Sequence, residues 1–167
     1  MQEFYWIKVD DSERIELGDK LRIEGEKQNT INDVLDFSKS LHKSIIDTPD
    51  SLRAIINHKF DRPAPIWDAV FPNGQSRTVT IGEFYDRITR LELPFAGDWL
   101  NNCQHLYTDF DASKVRIFVG IATEEAMKEL GSRYIITDGA HRAIVVLRKF
   151  YEDKEFVPIP IYSTVIG

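Results

Sequence analysis

With one cysteine in 167 residues, this chain can form no internal disulfide and lacks the thiolates of a structural zinc cage. Cys103 therefore reads as a small, partly buried residue, and no zinc is expected. No stretch approaches the roughly 20 apolar residues that a membrane-spanning helix needs. The N-terminal MQEFYWIKVDDSERIE is acidic where a secretory signal is basic and then apolar, so a cytoplasmic location with no membrane partner is expected. Positive charge is also short. Lysine and arginine total 21 against 27 aspartates and glutamates, a net charge of -6, which argues against broad adhesion to a nucleic-acid backbone. There is no repeat, no low-complexity tract and no Pro/Gly/Ser linker, so one domain over residues 1–167 is expected. What remains is ordinary globular chemistry, 43% apolar and 29% charged, enough to bury a core.

Along the chain, Phe4 to Val9 and Lys20 to Glu24 read as two β-rich runs around Gly18-Asp19, an initial β-hairpin. Ile31, Val34, Leu35, Ser38, Leu41 and Ile45 follow helical spacing from an N-cap at Asn29 or Thr30, and Pro49 reads as the stop. A second helix follows from Asp50 or Ser51 through Phe60, closed by DRPAP. Pro72-Asn73-Gly74 reads as a turn, Arg77 to Ile81 as a strand and Glu83 to Leu91 as a helix, with Trp67, Phe71, Phe84 and Tyr85 as packing anchors. The last third is the most regular. Lys114 to Ile121 is a strand, Thr123 caps the helix EEAMKEL, Gly131 stops it, and Tyr134 to Ile136 is the next strand. A helix begins at Ala140, and Phe156 to Val165 returns as a strand whose Pro158 and Pro160 suit a sheet edge.

The chemistry concentrates where YIITD meets AHRAIVV. Helix-initial amides lack intrahelical acceptors and, with the macrodipole, favour an anion. Gly139 permits backbone conformations that side chains forbid and a close approach to a ligand. Arg142 adds a permanently charged fork for phosphate or carboxylate, and His141 can donate to an oxyanion or exchange a proton near neutrality. Asp138 can cap the helix, orient His141 or hold a hydrated cation. The same residues read equally well as an N-cap, a turn and a solvated first helical turn.

YIITDGAHRAIVVLRKFYEDKEFVPIPIYSTV resembles the core of the ParB/sulfiredoxin superfamily, in which a strand ends in a D/G-G-x-H-R or related turn, followed by a helix and a strand opening V-P-V. Asp138, Gly139, His141 and Arg142 match that turn, and Val157-Pro158-Ile159 matches the strand opening. The resemblance implies a small mixed sheet flanked by helices and a nucleotide or phosphate at the turn. It covers Tyr134 to Val165, or Lys114 onward with the preceding strand. Family activities include sulfinic-acid reduction, nucleotide hydrolysis in DNA partitioning, serine phosphorylation and nuclease action. Sulfiredoxins carry a catalytic cysteine where this chain has Ala140, so sulfinic-acid reduction is not expected. Partitioning members carry an arginine-rich turn and a downstream helix-turn-helix, neither of which is read here. The D-G-x-H-R form is closer to serine kinases and to proteins of phages and mobile elements.

Other candidates have simpler readings. His42 and His58 fall on expected helix surfaces, and the Cys103/His105 pair offers too few ligands for a metal. Glu124 and Glu125 suit a first helical turn, and Asp10-Asp11 and Asp109 to Asp111 are either solvated loops or an imitation of a phosphate backbone. The expected fold is α+β, with an unassigned helix-rich region over 1–110 and a ParB/sulfiredoxin-like unit over 111–167. The first functional expectation is phosphoryl transfer or phosphoester hydrolysis using ATP and magnesium. Gly139, Ala140, His141 and Arg142 would bind phosphate, His141 and Asp138 would act catalytically, and Asp138 would hold the metal. The second is a non-catalytic phage or mobile-element accessory that binds a host protein or a nucleic-acid-associated factor.

Overall fold

The computed structural model describes residues 3–57, 70–71, 78–90 and 98–166. It is α+β: a five-stranded mixed sheet with helices on both faces. The strands are β1 (Ile7–Lys8), β2 (His42–Ile46), β3 (Ile117–Ile121), β4 (Tyr134–Asp138) and β5 (Ile159–Ser163), in the order β1-β2-β5-β3-β4. Among these strands the β3–β5 pair is parallel and the others are antiparallel, and Ile56 adds a single parallel bridge to Ile135. The helices are α1 (Asp11–Ile23), α2 (Gln28–Leu35), α3 (Pro49–Arg53), α4 (Ile81–Arg90), α5 (Asp98–Thr108), α6 (Glu124–Leu130) and α7 (Ala140–Asp153). Among the described residues no helix is long and apolar enough to cross a membrane.

Strand alternation sends Ile46, Ile117, Val119, Ile136, Ile159 and Ile161 to one face, where α3, α4, α5 and α7 cover them with Leu52, Phe84, Cys103 and Leu147. Tyr162 and Phe118 face the other way and stack on each other at 5.4 Å beneath α1 and α2. Thus the N-terminal helices and the C-terminal strands share one sheet.

Several sequence expectations changed. The initial β-hairpin is one short strand followed by α1. Asp10 caps α1 by accepting from Glu13 N at 2.8 Å, and Leu17 and Leu21 form its buried stripe together with Arg14. Gly18, read as a turn, sits inside that helix because a β-carbon there would lie 2.7 Å from Leu35 Cδ2. The long helix from Thr30 ends at Leu35. Asp36 then turns the chain by accepting from Ser38 N at 3.1 Å and from Ser38 Oγ, and the remainder becomes β2. Hence His42 lies on a strand. Pro49 opens a helix rather than ending one, behind Thr48, whose hydroxyl accepts from Ser51 N at 3.1 Å.

The strand expected at Arg77 to Ile81 is reduced, among the described residues, to a single bridge between Thr80 and Ile56. His58, Trp67, the DRPAP segment and the Pro72-Asn73-Gly74 turn lie outside the described residues. α5 was not foreseen.

β5 is central, against the expectation of an edge. Val9 N donates to Leu41 O at 2.8 Å, so by the two-residue period Lys43 and Ile45 aim their backbone groups toward β1. Ile45 opposite Pro160 is therefore a non-hydrogen-bonded pair across β2 and β5, and the parallel ladder to β3 starts one residue later at Ile161. A proline fits there because neither ladder asks for its missing amide hydrogen.

The last third follows its sequence closely. Thr123 accepts from Ala126 N at 3.2 Å, Gly131 ends α6 at φ +66°, and the order strand, helix, strand, helix, strand holds.

Candidate functional site

The turn between β4 and α7 depends first on Gly139. Its φ of +102° is a left-handed conformation, and a β-carbon there would sit 2.8 Å from the backbone oxygen of Arg116. Glycine thus satisfies two constraints at once. It lets the chain leave β4 and enter α7 directly against β3. Ala140 is buried behind the turn, while His141 and Arg142 are half-buried in the first helical turn.

Gly139 takes the N-cap position and supplies no side-chain cap, so Asp138 does not cap α7. Its carboxylate instead accepts from Thr30 Oγ1 at 2.5 Å through Oδ2 and lies 3.8 Å from Lys27 Nζ through Oδ1. Both partners belong to the α1–α2 region. Through these two contacts Asp138 ties the turn to α2 and to Lys27 at its N-cap.

Arg142 is likewise engaged from the N-terminal side, donating through Nη2 to the Glu26 carboxylate. Two residues earlier in the same loop, Glu24 receives both terminal nitrogens of Arg116, at 2.5 and 3.2 Å. Arg116 also fixes the turn by the backbone oxygen that Gly139 crosses. The site is therefore a lattice of alternating charge, with Glu24 on Arg116, Glu26 on Arg142 and Lys27 on Asp138, laid by one short loop over the strand-helix junction. An anionic oxygen already sits on the Arg142 fork, and it belongs to the protein.

Sequence reasoning placed Asp138, Gly139, Ala140, His141 and Arg142 together, and the fold does bring them to one turn. It missed Glu24, Glu26, Lys27, Thr30 and Arg116. None carries a local signal, because each meets its partner across about ninety or more positions.

On its inner side Arg142 borders a small cavity of about 50 Å³, lined also by Lys114, Asp109, Asp111, Phe110 and Val145. Asp111 is spoken for, accepting from Ser113 N at 3.0 Å and Ser113 Oγ at 2.7 Å, bonds that hold its carboxyl below the usual range. Asp10 is likewise a helix cap, and Glu124 and Glu125 occupy the exposed first turn of α6. Cys103 is buried on α5, where loss of hydration pushes its thiol up to about 12, so it is no nucleophile near neutral pH. Among the described residues no group of three acidic, histidine or cysteine side chains is arranged for a metal. Neither family models, nor curated proteins, nor solved structures yield a match to this chain.

Proposed function

We propose that the β4–α7 turn binds phosphate and that the chain is a nucleotide- or phosphate-using protein acting by phosphoryl transfer or phosphoester hydrolysis. The observation that carries this reading is the carboxylate held by Arg142 at the head of a helix that no side chain caps. A place that attracts one anionic oxygen group by charge and geometry suits another. Gly139 lets the chain pass from β4 into α7 against β3, and the first amides of α7 would complete the cradle. In this reading Arg142 would neutralise charge, and His141 would polarise or protonate a phosphate oxygen.

Asp138 suits a magnesium ion arriving with the phosphate, since such ions are held by one or two carboxylates plus phosphate oxygens. Its Oδ1 lies 3.8 Å from the exposed Lys27 ammonium. A bound magnesium would supply neutralisation of phosphate charge. The test is calorimetry with ATP, ADP and inorganic phosphate, with and without magnesium. Binding by the wild type that disappears in Arg142→Ala supports the site.

The alternative is a non-catalytic accessory of a phage or mobile element whose turn only fastens the N-terminal helices to the sheet. Its support is that the charged groups of Asp138 and Arg142 are both spent on α1–α2 partners. Under that reading neither protein binds phosphate, and Arg142→Ala changes stability alone.

A further inference from the structure

The geometry points to the α1–α2 connection as a strap that closes the phosphate turn with its own carboxylate, Glu26, which an incoming phosphate must displace. The inference rests on the phosphate reading of that turn and assigns it a regulatory contact.

Three adjacent residues divide the work. Glu24 is the anchor: its carboxylate takes two nitrogens of Arg116, with the two side chains only 14% and 8% exposed. Gly25 is the hinge, at φ +71° with open space where a β-carbon would be; its amide and that of Glu26 donate to Arg22 O at 3.1 Å and Leu21 O at 2.9 Å, and swinging the loop out breaks those two bonds. Glu26 is the plug, joined to Arg142 by one nitrogen-oxygen contact. Phosphate can offer Arg142 two parallel hydrogen bonds and the helix amides a third oxygen, whereas Glu26 meets the guanidinium with a single oxygen.

The surroundings favour exchange over loss of the whole loop. Thr30 on α2 holds Asp138 by a separate hydrogen bond, so that bond and the Glu24 anchor both persist when Glu26 swings out. Lys27, 72% exposed and 3.8 Å from Asp138, lies beside the turn to meet the added negative charge. Glu26, once released, regains hydration. The strap thus lowers apparent affinity in proportion to the time it spends closed, and a ligand that outcompetes it opens it.

The test is calorimetry with inorganic phosphate and with ATP on the wild type, Glu26→Gln and Arg142→Ala. If the closed state dominates, Glu26→Gln binds phosphate about tenfold tighter than the wild type or better, because apparent affinity scales with the open fraction. Arg142→Ala binds neither ligand. Equal affinity of wild type and Glu26→Gln, with loss in Arg142→Ala, overturns the strap and leaves the phosphate site standing. Absence of binding in both wild type and Glu26→Gln overturns the site, and the strap with it. A second readout needs no variant: amide hydrogen exchange at residues 25–29 of the wild type rises at saturating phosphate. Unchanged exchange there with phosphate bound also overturns the strap.

Discussion

Glu26 and Arg142, 116 positions apart in the chain, meet at the head of α7, two residues from a second, two-contact pair between Glu24 and Arg116. The two pairs differ in what their removal costs. Arg116→Ala strands the Glu24 carboxylate in a nearly closed site and is expected to cost about 3–4 kcal/mol, the range for an uncompensated buried charge. Arg142→Ala strands a carboxylate that is as well shielded, Glu26 at 10% exposure, but breaks one contact with the more open Arg142, so the expected cost is about 2 kcal/mol. Urea unfolding of the two variants measures the contrast. Equal large losses would make both pairs structural.

Arg14 extends the same reasoning to a charge held by backbone carbonyls. It is 3% exposed and donates to three carbonyls, Val34 O at 2.8 Å, Lys39 O at 2.7 Å and Asp36 O at 2.9 Å, with its guanidinium 4.7 Å from the Phe37 ring centre. These bonds satisfy the end of α2 and the turn that follows, groups that otherwise lack helical partners. Arg14→Met keeps much of the stem packing and loses all three bonds. We expect a loss of about 3 kcal/mol, from hydrogen bonds to a charged group and carbonyls left dry. Thermal unfolding checks this, and a loss below about 1 kcal/mol would mean that water replaces the guanidinium.

Gly139 and Gly131 separate backbone strain from steric contact. Both have positive φ, +102° and +66°, but only at Gly139 would a β-carbon collide, 2.8 Å from Arg116 O. Gly131→Ala is expected to cost about 1 kcal/mol, the ordinary penalty of the left-handed region. Gly139→Ala adds a backbone clash on β3 and is expected to cost about 3 kcal/mol or more. Chemical denaturation of the two variants reads the difference. Similar losses would mean that β3 and β4 shift apart without penalty.

Legibility from sequence followed the range of the interactions. Thr123, Gly131 and the Asp138 to Arg142 turn were readable because a cap, a stop and a strand-helix junction are set by neighbours within a few positions. α1 was misread because Gly18 imitates a turn and because its buried stripe contains Arg14, a charge that sequence patterning assigns to the surface. β5 was placed at an edge because Pro160 is hostile to a ladder in general. Its tolerance comes from which alternate pair it occupies, and that depends on the register with β2. The partners of the turn were invisible for a similar reason. Glu24, Glu26 and Lys27 look like a solvated charge run until the fold lays that loop over β4 and α7.

Cys103 offers a pH-dependent test of the core. It is 4% exposed among the residues under α5 and α7, and loss of hydration raises its thiol from 9.0 to about 12 even though the nearby Arg148 charge pulls the other way. In the unfolded chain the thiol ionises near its ordinary value, so between pH 9 and 12 the folded state holds more protons than the unfolded one. Stability then falls as pH rises through that window, and the contribution is fully present below pH 9. At pH 8 the native protein should react with a thiol reagent only as fast as it opens, while the urea-unfolded chain reacts at once. Cys103→Ala should flatten the part of the alkaline stability loss that this thiol causes. A native thiol that labels at the unfolded rate would show that α5 does not seal this part of the core.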